Sequence, residues 1–464
     1  MTLDTLTSAL PSGSYTTDPD TIAPHLVEWR DKYRGTTPIL LLPRSTDEVV
    51  AMVHACREAG LAIVPQGGNT GLVGGQTPQG EALLSLRRMD AVREVNPRTN
   101  ALVAEAGVTL HAVQAAADAV GRKFPLSLAS EGTATVGGLL STNAGGVHVL
   151  KYGTTRDLVF GVEAVLADGT VHRGLTSLRK DNTGYDLNRL FLGAEGTLGI
   201  ITAASLKLFP KPAFVQRAMV GLDSPEHAMR LLERARVGEH LAMFEVMPRF
   251  GMELVLAHIP GQRDPFAEPH PWYALIDWEV ADREAGERLA EEVIGAALEA
   301  GEAGDAVIAQ SDTQAAALLS LRENLSEAQK GAGGSVKFDV TVPLDRIPEF
   351  LDVTGAAVER LVPGIRPVSF GHFGDGNIHY NLTQPADHDM GADRERFLAR
   401  WDELTTVVHD IVDDLGGSIS AEHGIGIMKR DDLAARADPA KIAMMRAIKR
   451  ALDPDRMMNP RVLI

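Results

Sequence analysis

A chain of 464 residues is long enough for two or three domains, each with a complete core. Its net charge of −17 comes from acidic residues spread along the chain rather than gathered in a tail, which argues against a nucleic-acid binder with its basic footprint. One cysteine excludes an intramolecular disulfide, and no run of eighteen apolar residues offers a membrane span.

Residues 1–20 lack the basic start and apolar run of a signal peptide, and Asp4 is out of place in a transit peptide, so a cytoplasmic location is expected. From Pro38 the pattern alternates quickly: 39–42 reads as a strand, 46–59 as a helix and 61–64 as a strand. The helix has a capping box, Ser45-Thr46-Asp47-Glu48, and a glycine stop at Gly60, which places Cys56 inside it as a small packed hydrophobe. A glycine-rich loop follows, Pro65-Gln66-Gly67-Gly68-Asn69-Thr70-Gly71 and on to Gly75. It follows a strand, as a phosphate cradle should, because glycines let successive amides approach an anion. Yet it matches neither Gly-x-Gly-x-x-Gly nor a triphosphate loop, so a Rossmann dinucleotide domain is disfavoured.

Residues 83–85 and 101–108 read as strands, 109–120 as a helix, and 159–166 and 200–208 as strands, with an Asp168-Gly169 turn after the first of these. Between them, 128–153 shows little periodicity and is rich in Gly, Ser, Thr and Asn. It contains Ser130-Glu131-Gly132-Thr133-Ala134-Thr135-Val136-Gly137-Gly138 and Thr142-Asn143-Ala144-Gly145-Gly146. A third such turn is Gly193-Ala194-Glu195-Gly196-Thr197-Leu198-Gly199-Ile200. So much close-approach backbone suits a large, flat, polar ligand lying along the chain. Pro210-Lys211-Pro212 reads as a domain boundary. Beyond it, helices expected at 281–300, 313–331, 345–361 and 395–415 alternate with strands at 272–280, 336–342, 367–370 and 378–381. That is an α+β pattern, an antiparallel sheet with helices on one face.

The most specific feature lies in this second half: Gly371-His372-Phe373-Gly374-Asp375-Gly376-Asn377-Ile378-His379-Tyr380-Asn381. On one unbroken strand, His372 and His379 would point to opposite faces; a hairpin at the glycines brings both imidazoles to one side, with Asn381 on the same face as His379. With a carboxylate from Glu422-His423, His372, His379 and Glu422 form a three-ligand metal set that keeps a position open for substrate. Zn²⁺ suits it, as do Fe²⁺ and Mn²⁺. His423, next to a ligand but directed elsewhere, is the expected base, and Asn381 the expected partner of substrate or of a metal-bound water.

Taken together, the motifs Pro65–Gly71, Thr135–Gly138 with Thr142–Gly146, Gly196-Thr197-Leu198-Gly199-Ile200, the histidine hairpin and Ser420-Ala421-Glu422-His423-Gly424-Ile425-Gly426 are similar to those of the FAD-dependent D-2-hydroxyacid dehydrogenases. These belong to the vanillyl-alcohol oxidase / p-cresol methylhydroxylase superfamily, and the resemblance runs in the family's order from Pro38 to the C-terminus. It implies an α+β fold: an N-terminal segment (1–37), a two-subdomain FAD-binding domain (38–212), a substrate and metal domain (213–415) and a C-terminal segment (416–464) that completes the site. It implies that Gly67–Gly71, opened by Pro65, hold the pyrophosphate of noncovalent FAD. Ser130, Gly132, Thr135, Gly138, Thr142, Asn143, Gly145 and Gly146 would line the flavin and ribityl chain, Glu195, Gly196 and Ile200 would complete the cradle with Ile200 on the adenine side, and Asn459 would return the C-terminus to it. Arg322 and Ser326, four apart on a predicted helix, together with Lys337, are similar to residues that grip the distal carboxylate in D-2-hydroxyglutarate dehydrogenases, where Thr commonly stands in place of Ser326. The implied reaction oxidises D-2-hydroxyglutarate, with D-malate as a second dicarboxylate and D-lactate or glycolate as the alternative. An electron-transfer flavoprotein or a quinone would take the electrons, and relatives imply a homodimer.

Overall fold

The computed structural model describes residues 3–386 and 392–464. The chain divides into two compact units. Residues 1–146, 153–211 and 422–464 form the first, and 147–152 with 212–421 the second. The change at 211–212 falls at the proline pair. At the other end the chain re-enters the first unit at Glu422, and residues 1–37 belong to that unit.

The first unit holds a four-stranded sheet in the order Tyr15–Thr16, Leu40–Leu41, Ala82–Ser85, Ile63–Gln66, the last three parallel. A second, five-stranded antiparallel sheet runs Val92–Asn96, Ala101–Glu105, Ile200–Lys207, Val159–Val165, Val171–Arg173. The helix Thr46–Ala59 starts and stops where its sequence says: Ser45 accepts from the Glu48 amide, and Gly60 takes the left-handed conformation. Glu48 reaches back to the Arg44 amide, one residue earlier than a capping box requires. Cys56 is buried in the apolar core, which pushes its thiol up to about 12. The low-periodicity stretch hides a helix, Val136–Thr142, whose glycines leave no apolar stripe to read.

The second unit is built on one antiparallel sheet of seven strands, ordered Asp305–Ile308, Phe214–Leu222, Trp272–Val280, Leu241–Pro248, Arg366–His372, Asn377–Thr383, Ser335–Thr341. The expectation of helices on a single face is corrected. Pro225–Ala235, Arg283–Glu299, Ile347–Leu361 and Trp401–Asp414 cover one face, and Arg249–His258 with Asp312–Glu323 cover part of the other. The reason is visible in Leu241–Pro248, where every residue is buried, so both faces of the central strands need apolar cover. The helix expected at 313–331 breaks at Asn324, whose side chain bonds the Ser320 carbonyl and hydroxyl and so competes with the helical ladder. Likewise 395–415 is two helices, Ala392–Leu398 and Trp401–Asp414. Among the described residues, no helix is long and apolar enough to cross a membrane.

Candidate active site

The histidine hairpin forms as its spacing requires. Arg366–His372 and Asn377–Thr383 pair antiparallel with Phe370 opposite His379, so His372, two residues beyond Phe370, shares the His379 face. The two imidazole centroids lie 5.7 Å apart. The reversal depends on Gly376, at φ +89°, where a Cβ would stand 2.5 Å from the Val342 carbonyl. The Asp375 carboxylate accepts the Asn377 amide and completes the turn; burial raises its pKa above the usual range, opposed chiefly by His372.

Register then assembles a polar face around the pair. Asp339 stands opposite His379, with its Oδ1 3.8 Å from His379 Nδ1, and receives a hydrogen bond from Asn377 Nδ2 at 2.9 Å. Lys337 stands opposite Asn381, and Asn381 Nδ2 donates to Gln329 Oε1 at 2.9 Å. On the other side Glu245 stands opposite His372. Glu245 is fully buried, with one carboxylate oxygen against His372 Nδ1 and the other 2.5 Å from Arg322 Nε. Burial opposes its ionisation, but the Arg322 guanidinium and the His372 imidazole beside it outweigh that and hold it well below the usual carboxylate range. The Arg322 guanidinium lies 4.7 Å over the Phe370 ring. Ser326, past the helix break, is exposed.

The sequence motifs do not point to Glu245, Asp339 or Gln329. The first two left a trace: each is the lone acid of its strand, Met243-Phe244-Glu245-Val246-Met247 and Val336-Lys337-Phe338-Asp339-Val340. Ala421, the last residue of this unit, donates its amide to the Asp339 carbonyl, and Ser418 pairs with Thr341. The chain therefore leaves the sheet beside Asp339, and the next two residues are Glu422 and His423.

In the first unit, Glu422 lies against the 142–146 loop: a Cβ on Gly145 would meet its Oε1 at 2.5 Å. The segment after it is held by Glu195, itself left-handed at φ +52°, whose carboxylate accepts the Ile425 amide at 2.8 Å and the Gly426 amide at 2.7 Å. Asn459 Nδ2 bonds the carbonyls of Gly75 and Glu195. Three motifs distant in sequence thus converge, with Glu195 and Asn459 acting as clamps. Asn143 is used similarly, accepting from Thr154 and Arg156. Ile200 buries its side chain in the core and pairs its backbone with Val165, so any ligand contact there is through main chain.

Burial pushes the Glu195 carboxyl up to about 7, against the pull of the two amides and Lys429, whereas its ordinary value is 4.5. Between those values the folded chain keeps a proton that the unfolded chain has lost, so this group's stabilisation declines as pH rises through the window and is constant above it. The stability advantage of wild type over Glu195→Gln should therefore shrink from about pH 5 to about pH 7.5 in thermal melts; parallel curves would reject a protonated Glu195.

The glycine loop packs backbone on backbone. A Cβ on Gly68 would meet the Thr133 carbonyl oxygen at 1.9 Å, and one on Gly67 the Thr135 hydroxyl at 2.3 Å. Pro65 packs on Gly196. Among the described residues, the amides of Gly68, Asn69, Thr70 and Gly71 donate to no backbone carbonyl, and Asn69 is left-handed at φ +58°, so these amides are available to an anion. The Thr135 hydroxyl between Gly67 and Gly138 is buried without a partner, Gly132 faces open space, and Ser130 closes the turn through its carbonyl. Thr142 turns its hydroxyl back to the Gly138 carbonyl, and Gly146 packs on the Ser127 carbonyl. Amides together with an orphaned hydroxyl fit the pyrophosphate and ribityl groups of a flavin dinucleotide.

Residues 37–174 match the family described as FAD binding domain, and 211–463 that described as FAD linked oxidases, C-terminal domain. The mitochondrial D-2-hydroxyglutarate dehydrogenase of Bos taurus is 40% identical over 458 residues, 97% of this chain and 80% of that one. The D-2-hydroxyglutarate dehydrogenase of Xanthomonas citri pv. viticola is 37% identical, covering 98% and 95% respectively. A crystal structure of p-cresol methylhydroxylase with substrate bound superposes with a TM-score of 0.75 at 18% identity, over 99% of this chain and 96% of that one, and so shares the fold.

Proposed function

Since this chain belongs to the FAD-linked oxidases and is an FAD-dependent hydroxyacid dehydrogenase, we propose that its substrate is D-2-hydroxyglutarate, oxidised at C2 to 2-oxoglutarate. The observation that carries this reading is the cationic flank of the histidine face. Arg322 lies over Phe370, the ring beside His379, and Lys337 stands opposite Asn381. A dicarboxylate offers these cations a second carboxyl group to bind, and D-malate shares that property; lactate does not.

FAD, when bound in the cradle, supplies the acceptor for the C2 hydride. His372, His379 and Glu422 would hold a divalent cation, Zn²⁺ foremost, that acidifies the substrate hydroxyl. The Glu245 and Asp339 carboxylates beside the two imidazoles suit histidines that act as ligands. His423 takes the hydroxyl proton as the hydride leaves. Asn381 orients the C1 end, while Arg322, Ser326 and Lys337 hold the distal carboxylate. Neither His nor Cys occurs in the 65–75 loop, and Cys56 is buried in its helix, which supports noncovalent FAD. An electron-transfer flavoprotein or a quinone would reoxidise it.

The test is a panel of D-2-hydroxy acids with an artificial electron acceptor, with and without chelator. D-2-hydroxyglutarate should be preferred and chelation should stop turnover. Arg322→Ala should lower the ratio of kcat/KM for D-2-hydroxyglutarate to that for D-lactate by about 10- to 150-fold, the worth of one hydrogen bond to a charged group. An unchanged ratio would point to D-lactate or glycolate, and chelator-resistant turnover would reject the metal.

A further inference from the structure

We propose that Glu245 is a positioning residue that sets two parts of the site at once: the tautomer and ring orientation of His372, and the pose of the Arg322 guanidinium. This rests on the reading of His372 as a metal ligand and Arg322 as the clamp on the distal carboxylate.

An ionised carboxylate buried in the strand Leu241–Pro248 is costly unless both of its oxygens are engaged. One oxygen accepts from Arg322 Nε at 2.5 Å. The other faces His372 Nδ1 and has no further hydrogen-bond partner among the described residues. A carboxylate can only accept, so Nδ1 carries the hydrogen and coordination falls to Nε2. By holding Nε, the same carboxylate fixes the guanidinium plane against Phe370 and turns its Nη edge toward whatever it clamps. The strand register that pairs Glu245 with His372 thus links the metal ligand to the clamp through one side chain.

Glutamine in this position can satisfy only one of the two donors. If its oxygen keeps Arg322, its NH₂ faces Nδ1, which must then accept, and the hydrogen moves to Nε2, where it blocks coordination. On FAD-loaded protein, with Zn²⁺ affinity measured by chelator competition, Glu245→Gln should bind Zn²⁺ about 10- to 100-fold more weakly. It should also raise KM for D-2-hydroxyglutarate more than KM for D-lactate. Glu245→Gln combined with Arg322→Met releases the glutamine oxygen to His372, and should recover Zn²⁺ affinity without recovering the D-2-hydroxyglutarate preference. A purely structural role predicts no such recovery, and the double variant avoids an unpaired buried guanidinium. Wild-type Zn²⁺ affinity in Glu245→Gln, or a double variant that binds no tighter than the single one, overturns the proposal. His372→Ala separates the two layers. If it loses Zn²⁺ while Glu245→Gln does not, only the positioning role fails; if it binds Zn²⁺ as wild type does, the metal reading fails and takes the proposal with it.

Discussion

Replacing His423 with asparagine should slow anaerobic flavin reduction by D-2-hydroxyglutarate about 10²- to 10⁴-fold, the usual contribution of a positioned base. Asparagine keeps a hydrogen-bonding capacity like that of imidazole but cannot take a proton at neutral pH. The backbone on both sides of His423 is fixed independently of its side chain. Glu422 lies on Gly145, Gly424 packs on Glu195, and the Ile425 and Gly426 amides bond the Glu195 carboxylate. The variant should therefore keep its fold, its yellow colour and its Zn²⁺ affinity, and the loss should appear in kcat more than in KM. Reduction within a few-fold of wild type would remove His423 from the chemistry and leave proton transfer to another group.

Gly68→Ala should yield a protein that does not retain FAD. The added methyl would stand 1.9 Å from the Thr133 carbonyl oxygen, 2.7 Å from its carbon and 3.2 Å from the Ala134 Cα. All three are main-chain atoms of the second glycine-rich segment, so no rotamer change can relieve the clash. One segment must move away, at a cost of about 1–3 kcal/mol or more, and the amides of the cradle go with it. Gly295→Ala is the matched control. Its methyl, on the helix Arg283–Glu299, meets nothing within 4 Å and should be neutral or stabilise by about 0.5–1 kcal/mol. A yellow Gly68→Ala protein that melts like wild type would show that the two segments do not pack as described.

How much could be read in advance differs from motif to motif. The helix over 46–59 and the strand over 272–280 appear with the residues expected, because a capping residue with a glycine stop, and a long apolar β-rich run, are complete local signals. The hairpin is equally local: side-chain alternation and a glycine turn are enough to bring His372 and His379 together. The helix Val136–Thr142 is not legible in the sequence, because the glycines that let it approach the 65–75 loop also remove its periodicity. Arg322 and Ser326 lie on either side of a helix break at Asn324, whose side chain donates to the same Ser320 carbonyl as its own amide, a side-chain bond that the 3.6-residue period does not reveal.

The sequence by itself determined the chemistry available: two imidazoles on one side of a reversed chain, an acid and a histidine downstream, and glycine segments able to meet a large polar ligand. It did so because those features depend on side-chain alternation, turn stereochemistry and residue type, all of which act over a few residues. Only the tertiary structure decided that Glu245 stands opposite His372, that Asp339 stands opposite His379, and that Glu195 and Asn459 serve as clamps. The register of strands far apart in sequence follows from burial over the whole sheet, and a slip of one residue would turn Glu245 or Asp339 to the opposite face.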